Sequence, residues 1–388
     1  QVDARVFDRD GRFVHDLTLD DFEVLEQGKP QPLRALYLVD GGMGPTATAA
    51  PLVSSRGTVD EGAPAPTATR QTWIFVFDLN HLTAGGGFDR ARAAVTTFLK
   101  EQFRDGDLGG IVAGSTMVNN RLSSVRQELA EAAASVRPNN DHRQRMNTLT
   151  REWPRIRDDS EALAIASGDR EAIQRATLRA AADDPSVGVN ADLMVRAKAE
   201  QFRTDLTRSS RDTLTALNGL ANGLARIPGP KTVVLLTDGF VTQEMETTLR
   251  SVVGQITRAG ARVYAIDARG LNRGTNASIG DQMLVDSPQS APARFDIGED
   301  SPNSLAVDTG GFFIRNQNNI GRALTTIAED ANRYYVIGYQ PEGLTLDGQY
   351  RPIDVRVKRP DVTVRARRGY LALPSSQLLV PQPIKRFE

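Results

Sequence analysis

The chain runs to 388 residues, enough for two to three domains at roughly 150 residues each and ample for a real core. Apolar residues make up 40% and charged residues 24%, the balance of a folded soluble protein, which weighs against disordered, collagen-like and coiled-coil classes. With 47 Lys and Arg against 48 Asp and Glu the net charge is -1, so no nucleic-acid partner is expected, and the lack of cysteine excludes disulfides, thiolate metal sites and cysteine nucleophiles.

Residues 1–39 read as one half of a small β module. Val2–Phe7 alternates loosely, Asp10-Gly11 is a hairpin turn signal, and Phe22–Leu25 leads into Gln27-Gly28-Lys29-Pro30. Residues 40–70 shift to Gly, Pro, Ala, Thr and Ser without periodicity, the composition of a solvated linker. From 71 to 333 the character changes. Trp73–Phe77 is an apolar run of strand length ending in Asp78, the pattern of a strand buried on both faces. Phe88, Ala91, Val95, Phe98 and Leu99 recur at helical spacing, Gly109 to Gly114 brackets a second short apolar run, and Ser124 with Gln127 has the capping-box pattern. The alternation resumes with Thr232–Thr237, a helix carrying Leu249, Val252, Val253 and Ile256, a third buried strand Arg262–Asp267, and then Gly311–Ile314 with a helix through Ile320, Leu324 and Ile327. Buried strands alternating with helices predict a doubly wound, mostly parallel α/β sheet.

Two segments exceed ordinary connections. Residues 268–304 have loop composition, whereas 139 to about 210 is rich in Arg, Asp, Glu and Ala, and a helical insertion is assigned to 142–210. From Asn190 the pattern Leu193, Ala197, Phe202, Leu206, Leu214, Leu217, Leu220, Leu224 predicts a helix which, unbroken to Ile227, would be roughly 55 Å long. Beyond Arg333, Tyr334–Tyr339, Ile353–Val357 and Val362–Ala366 alternate with period two, so each strand is expected to keep one wet face. Residues 334–373 then complete an antiparallel β-sandwich with 1–39, the α/β domain being inserted between the halves, and 374–388 is a tail. No apolar run reaches the roughly 18 residues of a membrane span, so no transmembrane segment is expected. The chain opens on Gln1 without a visible leader, and an exported protein, periplasmic or extracellular, is expected.

Phe75-Val76-Phe77-Asp78-Leu79-Asn80, Leu235-Leu236-Thr237-Asp238-Gly239 and Val263-Tyr264-Ala265-Ile266-Asp267 resemble the first, fourth and fifth strands of a von Willebrand factor type A domain, a Rossmann-like fold. The flanks Leu17–Val24, Tyr334–Pro341 and Arg365–Tyr370 look like the bacterial branch common in Acidobacteria. The resemblance implies protein binding, often through a divalent cation on an Asp-x-Ser-x-Ser loop, with a Thr and an Asp from two further loops. Asp78 and Asp238 match the first and last of these positions, but Asn80 and Leu82 stand where the two Ser belong. The Thr has no clear counterpart, and Asn139, Asn140 and Asp141 are positional candidates only. One reading therefore gives Asp78, Asn80 and Asp238 a Mg2+ or Ca2+ ion, since two carboxylates and an amide carbonyl suit a hard cation. The other has the two acids merely cap helix N-termini and order the loops.

Other conspicuous groups have plainer explanations. His81 reads as a loop residue rather than one half of an acid–base pair with Asp78. Asn80 lacks the proton that a phosphatase of the haloacid-dehalogenase kind would need there. The Gly85–Gly87 and Gly109-Gly110 runs do not have dinucleotide-binding spacing and read as turns. Arg356, Lys358, Arg359, Arg365, Arg367 and Arg368 read as the wet face of an edge strand. The expectation is a non-enzymatic protein that binds a protein partner or self-associates at the bacterial envelope or exterior, through the carboxyl edge of the sheet and the helical insertion. The alternatives are a metal-dependent hydrolase or phosphatase using Asp78 and Asp238, and a self-assembling structural subunit.

Overall fold

A computed structural model describes residues 1–41, 48–51, 70–240, 245–269, 300–315, 317–341, 347 and 349–372. Strands β1 (Val2–Phe7), β2 (Phe22–Glu26), β3 (Lys29–Gln31), β4 (Leu33–Asp40) and β5 (Thr48–Pro51) open the chain. Then come β6 (Thr72–Phe77), α1 (Gly86–Glu101), β7 (Leu108–Ala113), β8 (Thr116–Met117) and α2 (Arg126–Ser135). Four helices follow: α3 (Asp141–Arg151), α4 (Asp159–Ala166), α5 (Arg170–Asp183) and α6 (Ala191–Leu224). The alternation resumes with β9 (Lys231–Thr237), α7 (Glu246–Arg258), β10 (Ala261–Asp267), α8 (Asp300–Asp308), β11 (Phe313–Ile314) and α9 (Ile320–Asn332). Strands β12 (Arg333–Tyr339), β13 (Tyr350–Val357), β14 (Thr363–Ala366) and β15 (Gly369–Leu371) close it. Most of the expected 40–70 linker, positions 270–299 of the expected 268–304 loop, and the 374–388 tail lie outside the described residues. Residues 300–304 are helical, not loop.

The central sheet has the order β11-β10-β9-β6-β7-β8 and is parallel throughout except for the β7–β8 hairpin. Its apolar strands alternate side chains between two cores, as period two demands of a strand covered on both faces. Trp73, Phe75 and Phe77 point to a layer built from α1, α2 and α9, whereas Ile74 and Val76 point to one built from α7 and the last third of α6. Among the glycines read as turns, Gly87 has a packing role: a Cβ there would lie 2.5 Å from the Ala268 carbonyl oxygen, so only glycine lets α1 start against the end of β10. The expected capping box is not formed. Val125 is the N-cap of α2, and the neighbouring Ser123 does the polar work, donating to Glu128 at 2.8 Å and accepting from the Val125 N–H at 3.0 Å.

The first and last segments form two antiparallel sheets, β14-β1-β12-β4-β5 and β15-β13-β2-β3, over one core that includes Val2, Ala4, Val6, Phe22, Val24, Tyr335 and Ile337. The expected wet face of β12 is not wet. Tyr334 and Val336 are buried with Tyr37 on the opposite side, and the Arg262 guanidinium from β10 lies over the Tyr334 ring at 4.6 Å. Beside it, Asp330 on the buried face of α9 accepts from the Tyr264 hydroxyl at 2.7 Å and pairs with Arg365 and with Arg5, whose Nε lies 2.8 Å from the carboxylate and donates to the Asp330 main-chain carbonyl at 2.9 Å. Arg365 is thus a partner of a buried carboxylate rather than a wet-face residue, while Arg356 and Arg359 make exposed pairs with Asp354 and Asp16. Burial and the neighbouring Asp330 push the Tyr264 phenol up to about 12, so it stays a hydrogen donor.

Helices α3 to α6 make an arm with its own apolar core, including Leu149, Ile156, Ile165, Ile173, Val195 and Phe202. Asp158 and Asp169 cap α4 and α5, accepting from the backbone N–H groups of Glu161 and Ala172 at 2.8 Å each. At 34 residues α6 is about 51 Å long. Its distal inward stripe is Ala191, Val195, Ala199 and Phe202, which displaces the expected Leu193–Ala197 stripe by about half a turn. The small alanines let α4 and α5 pack closely, and Leu193 is left 65% exposed.

Candidate functional site

The order of the sheet reverses direction at β6, which lies between β9 and β7, and a crevice outside the carboxyl ends of the strands is where open α/β sheets bind ligands. At that point the Asp78 N–H extends the ladder by donating to the Leu236 carbonyl at 3.0 Å. The chain then turns tightly, because the N–H groups of His81 and Leu82 both donate to the Asp78 carbonyl, at 3.0 and 2.7 Å. Leu82, fully buried, plugs into the core beneath α1. The same turn aims the His81 ring back at Asp78, so His81 is a buried partner rather than the loop residue expected from its neighbours in sequence.

Asp78 is 2% exposed and is held by three side chains. Thr213 Oγ1 donates to Oδ1 at 2.8 Å, Thr237 Oγ1 donates to Oδ2 at 2.8 Å, and His81 Nδ1 donates to Oδ2 at 2.9 Å. Both threonine hydroxyls also accept, from Asn80 Nδ2 at 3.1 Å and from the Gly239 N–H at 3.1 Å. His81 Nε2 faces Ser210 Oγ at 3.4 Å. Burial alone would raise the Asp78 pKa, but the His81 imidazole and the three donated hydrogen bonds outweigh it and hold the carboxyl below its usual range.

The residues named from sequence lie in this network or beside it. Asn80 joins it through Thr213, and its carbonyl accepts from Arg145 of α3 at 2.9 Å. Asp238 follows the end of the neighbouring strand β9 and accepts from the Thr83 N–H at 2.7 Å. Asn139, Asn140 and Asp141 do not serve as the missing loop position. Asn139 hydrogen-bonds Asp141 with both its amide atoms, at 2.8 Å each, and Asn140 is the N-cap of α3. Of the two threonines that reach Asp78, Thr237 ends β9, and Thr213 comes from a helix 135 positions away in sequence. Its signal is a run of small polar residues, Ser209, Ser210 and Thr213, interrupting the buried stripe of α6 between Phe202 and Leu214.

These residues do not fit a hard cation. A carboxylate offers roughly four lone-pair positions, and three on Asp78 are taken by donors. Leu82 brings no ligand atom, and Asn80 turns its amide nitrogen, not its oxygen, toward the network. Among the described residues no three His, Asp or Glu side chains are grouped to hold a metal. The requirement of a hydrolase for further polar groups converging on Asp78 is met by His81 and Ser210, but they are 1% and 0% exposed, with no reacting atom open to a substrate.

Asp238 has a separate consequence. Burial, aided by nearby Asp267 and opposed by the Thr83 hydrogen bonds and Arg269, pushes its pKa up to about 6. A folded pKa above the unfolded value favours folding fully below pH ~4, and that contribution is lost as pH rises through about 6. Asp238→Asn keeps an acceptor for Thr83 without the charge. It is expected to be about 1–2 kcal/mol more stable than the parent at pH 7, a figure discounted for partial exposure, and equal to it near pH 4. Urea denaturation at the two pH values checks this.

Above Asn80, α3 and α6 diverge and leave a groove of about 460 Å3 lined by Arg145, Lys198, Gln201, Asp205, Arg208 and Asp212 among others. That is the size of a small-ligand or peptide-segment site. Lys198 Nζ is committed to the carbonyls of Glu152 and Pro154, at 2.7 and 3.0 Å. Arg208 and Asp212 are exposed on successive turns of α6.

No protein-family model matches the chain, and no curated protein matches it. Among solved structures it is similar to an aerotolerance-related membrane protein from Bacteroides fragilis NCTC 9343, at 12% identity and a TM-score of 0.36, over 68% of this chain and 99% of that one. It is also similar to the conserved hypothetical protein BatB from Bacteroides thetaiotaomicron, at 13% identity and a TM-score of 0.31, over 68% of this chain and 98% of that one. Likenesses this distant carry no functional argument, and the acidobacterial branch finds no support in them. The six-stranded, mostly parallel sheet flanked by helices and joined to antiparallel sheets is compatible with a von Willebrand A-like fold.

Proposed function

We propose that this chain is a non-enzymatic interaction protein of the bacterial envelope or exterior, and that it binds a protein partner through the carboxyl edge of its sheet and the helical arm. The observation that carries the reading is a contrast at that edge. The groups with chemistry to offer, Asp78, His81 and Ser210, are buried and bonded to one another, whereas the groove between α3 and α6 presents polar side chains to solvent. A binding module needs only such contact surface. A chain of 388 residues without cysteine suits life outside the cytoplasm, and among the described residues no helix is long and apolar enough to cross a membrane.

The test is capture from the native envelope fraction by the full chain, by a chain lacking 142–205, and by the double variant Arg208→Glu, Asp212→Lys. The parent is expected to retain a partner that the deletion loses and the charge reversal weakens at least tenfold, as for loss of about 1.4 kcal/mol at a contact. Equal capture by all three would remove the arm from the interface. Size-exclusion mass at several concentrations separates the runner-up, a self-assembling subunit, because only that reading requires the parent's mass to rise with concentration.

A further inference from the structure

We infer that the Asp78 crevice is an internal tie between sheet and arm rather than an ion-holding site, so that the chain takes up no Mg2+, Mn2+ or Ca2+ there. The von Willebrand A resemblance leads one to expect a cation there, and the side chains have taken over each of its duties. A bound ion would neutralise Asp78 and draw neighbouring loops together through shared oxygen ligands. Here His81 Nδ1 lies against Asp78 Oδ2 at 2.9 Å, and Thr213 supplies a hydroxyl to Oδ1 from helix α6 instead of from a loop. Thr237 brings in the end of β9, and Asn80 closes the ring by donating to Thr213. Arg145 extends it to α3 through the Asn80 carbonyl.

Strands β6 and β9 and helices α3 and α6 thereby meet at one carboxylate. The crevice already holds a permanent occupant, the inward face of α6, and Thr213 is 4% exposed. A cation entering would have to displace three hydrogen bonds and would gain no ligand from Leu82. The same tie fixes the wall of the groove on which the proposed partner surface lies, yet the inference itself rests only on the packing around Asp78 and stands whether or not the groove binds anything.

Two measurements on the full chain test it. Calorimetric titration with MgCl2, MnCl2 and CaCl2 at millimolar concentration is expected to give no saturable heat. Saturable binding of any of the three that Asp78→Asn abolishes would overturn the inference. Amide hydrogen exchange in α6 around residues 205–217 is expected to speed up about tenfold in Thr213→Val and to return to the parent rate in Thr213→Ser, with α7 unaffected in both. Unchanged exchange in a folded Thr213→Val would equally overturn it, and if that variant does not fold, the cation titration of the unmodified chain decides. Loss of partner capture with both results as expected would count against the proposed function and leave the tie standing.

Discussion

Asp330→Ala is expected to cost about 3–5 kcal/mol of folding free energy, the range for breaking a buried ion pair from one side. Arg5 is fully buried, and the Asp330 side chain is 4% exposed. Removing the carboxylate leaves the Arg5 guanidinium, whose two terminal nitrogens already lack partners among the described residues, buried without a counter-charge there and with only its Nε bond to the main-chain carbonyl of residue 330. Arg365 and the Tyr264 hydroxyl lose the same acceptor. Because β1 and β14 belong to an antiparallel sheet while α9 and β10 belong to the central sheet and its covering helices, the loss falls where these layers meet. Chemical denaturation followed by circular dichroism checks the size, and a change within about 0.5 kcal/mol, the range for ordinary surface substitutions, would show that the cluster holds nothing together.

Asp78→Ala is expected to cost about 3 kcal/mol, since two threonine hydroxyls and an imidazole N–H lose a buried acceptor at once. Each threonine oxygen keeps the hydrogen bond it accepts, from Asn80 or Gly239, so the loss falls on the O–H and N–H donors alone. Opening is expected to be concentrated in α6 and the 78–83 turn, where the tie acts, rather than in the β10 side of the sheet. A uniform loss across the α/β domain in hydrogen exchange would place Asp78 in the general core instead.

Much of the α/β domain was legible because buried parallel strands announce themselves: Trp73–Phe77, Thr232–Thr237 and Arg262–Asp267 are apolar runs too short for helices, and each ends at an acidic residue or just before one. The two polar clusters were not legible, and for one physical reason. Each is assembled from residues that break a pattern in their own element and make sense only across long sequence separations. Asp330 continues the buried face of α9 one turn after Ile327, and Arg5 sits between Ala4 and Val6 on a strand whose Asp3 and Arg5 pair with Arg262 of β10 and Asp330 of α9. Thr213 does the same on α6. Alternation alone assigned Arg365 to water, since period two tells which residues share a face and not what covers that face. The metal-loop comparison located Asp78 and Asp238 at the right strand ends. It could not show that a helix inserted 135 positions later would supply the threonine, nor that His81 turns inward because Leu82 is drawn into the core.

A double-mutant cycle of Asp78→Ala and Thr213→Val, read by urea denaturation, measures directly whether Asp78 and Thr213 act on each other. The tie predicts a coupling energy of about 1–2 kcal/mol, within the range for partners in one buried network. Additivity to within about 0.3–0.5 kcal/mol, as for independent sites, would contradict it.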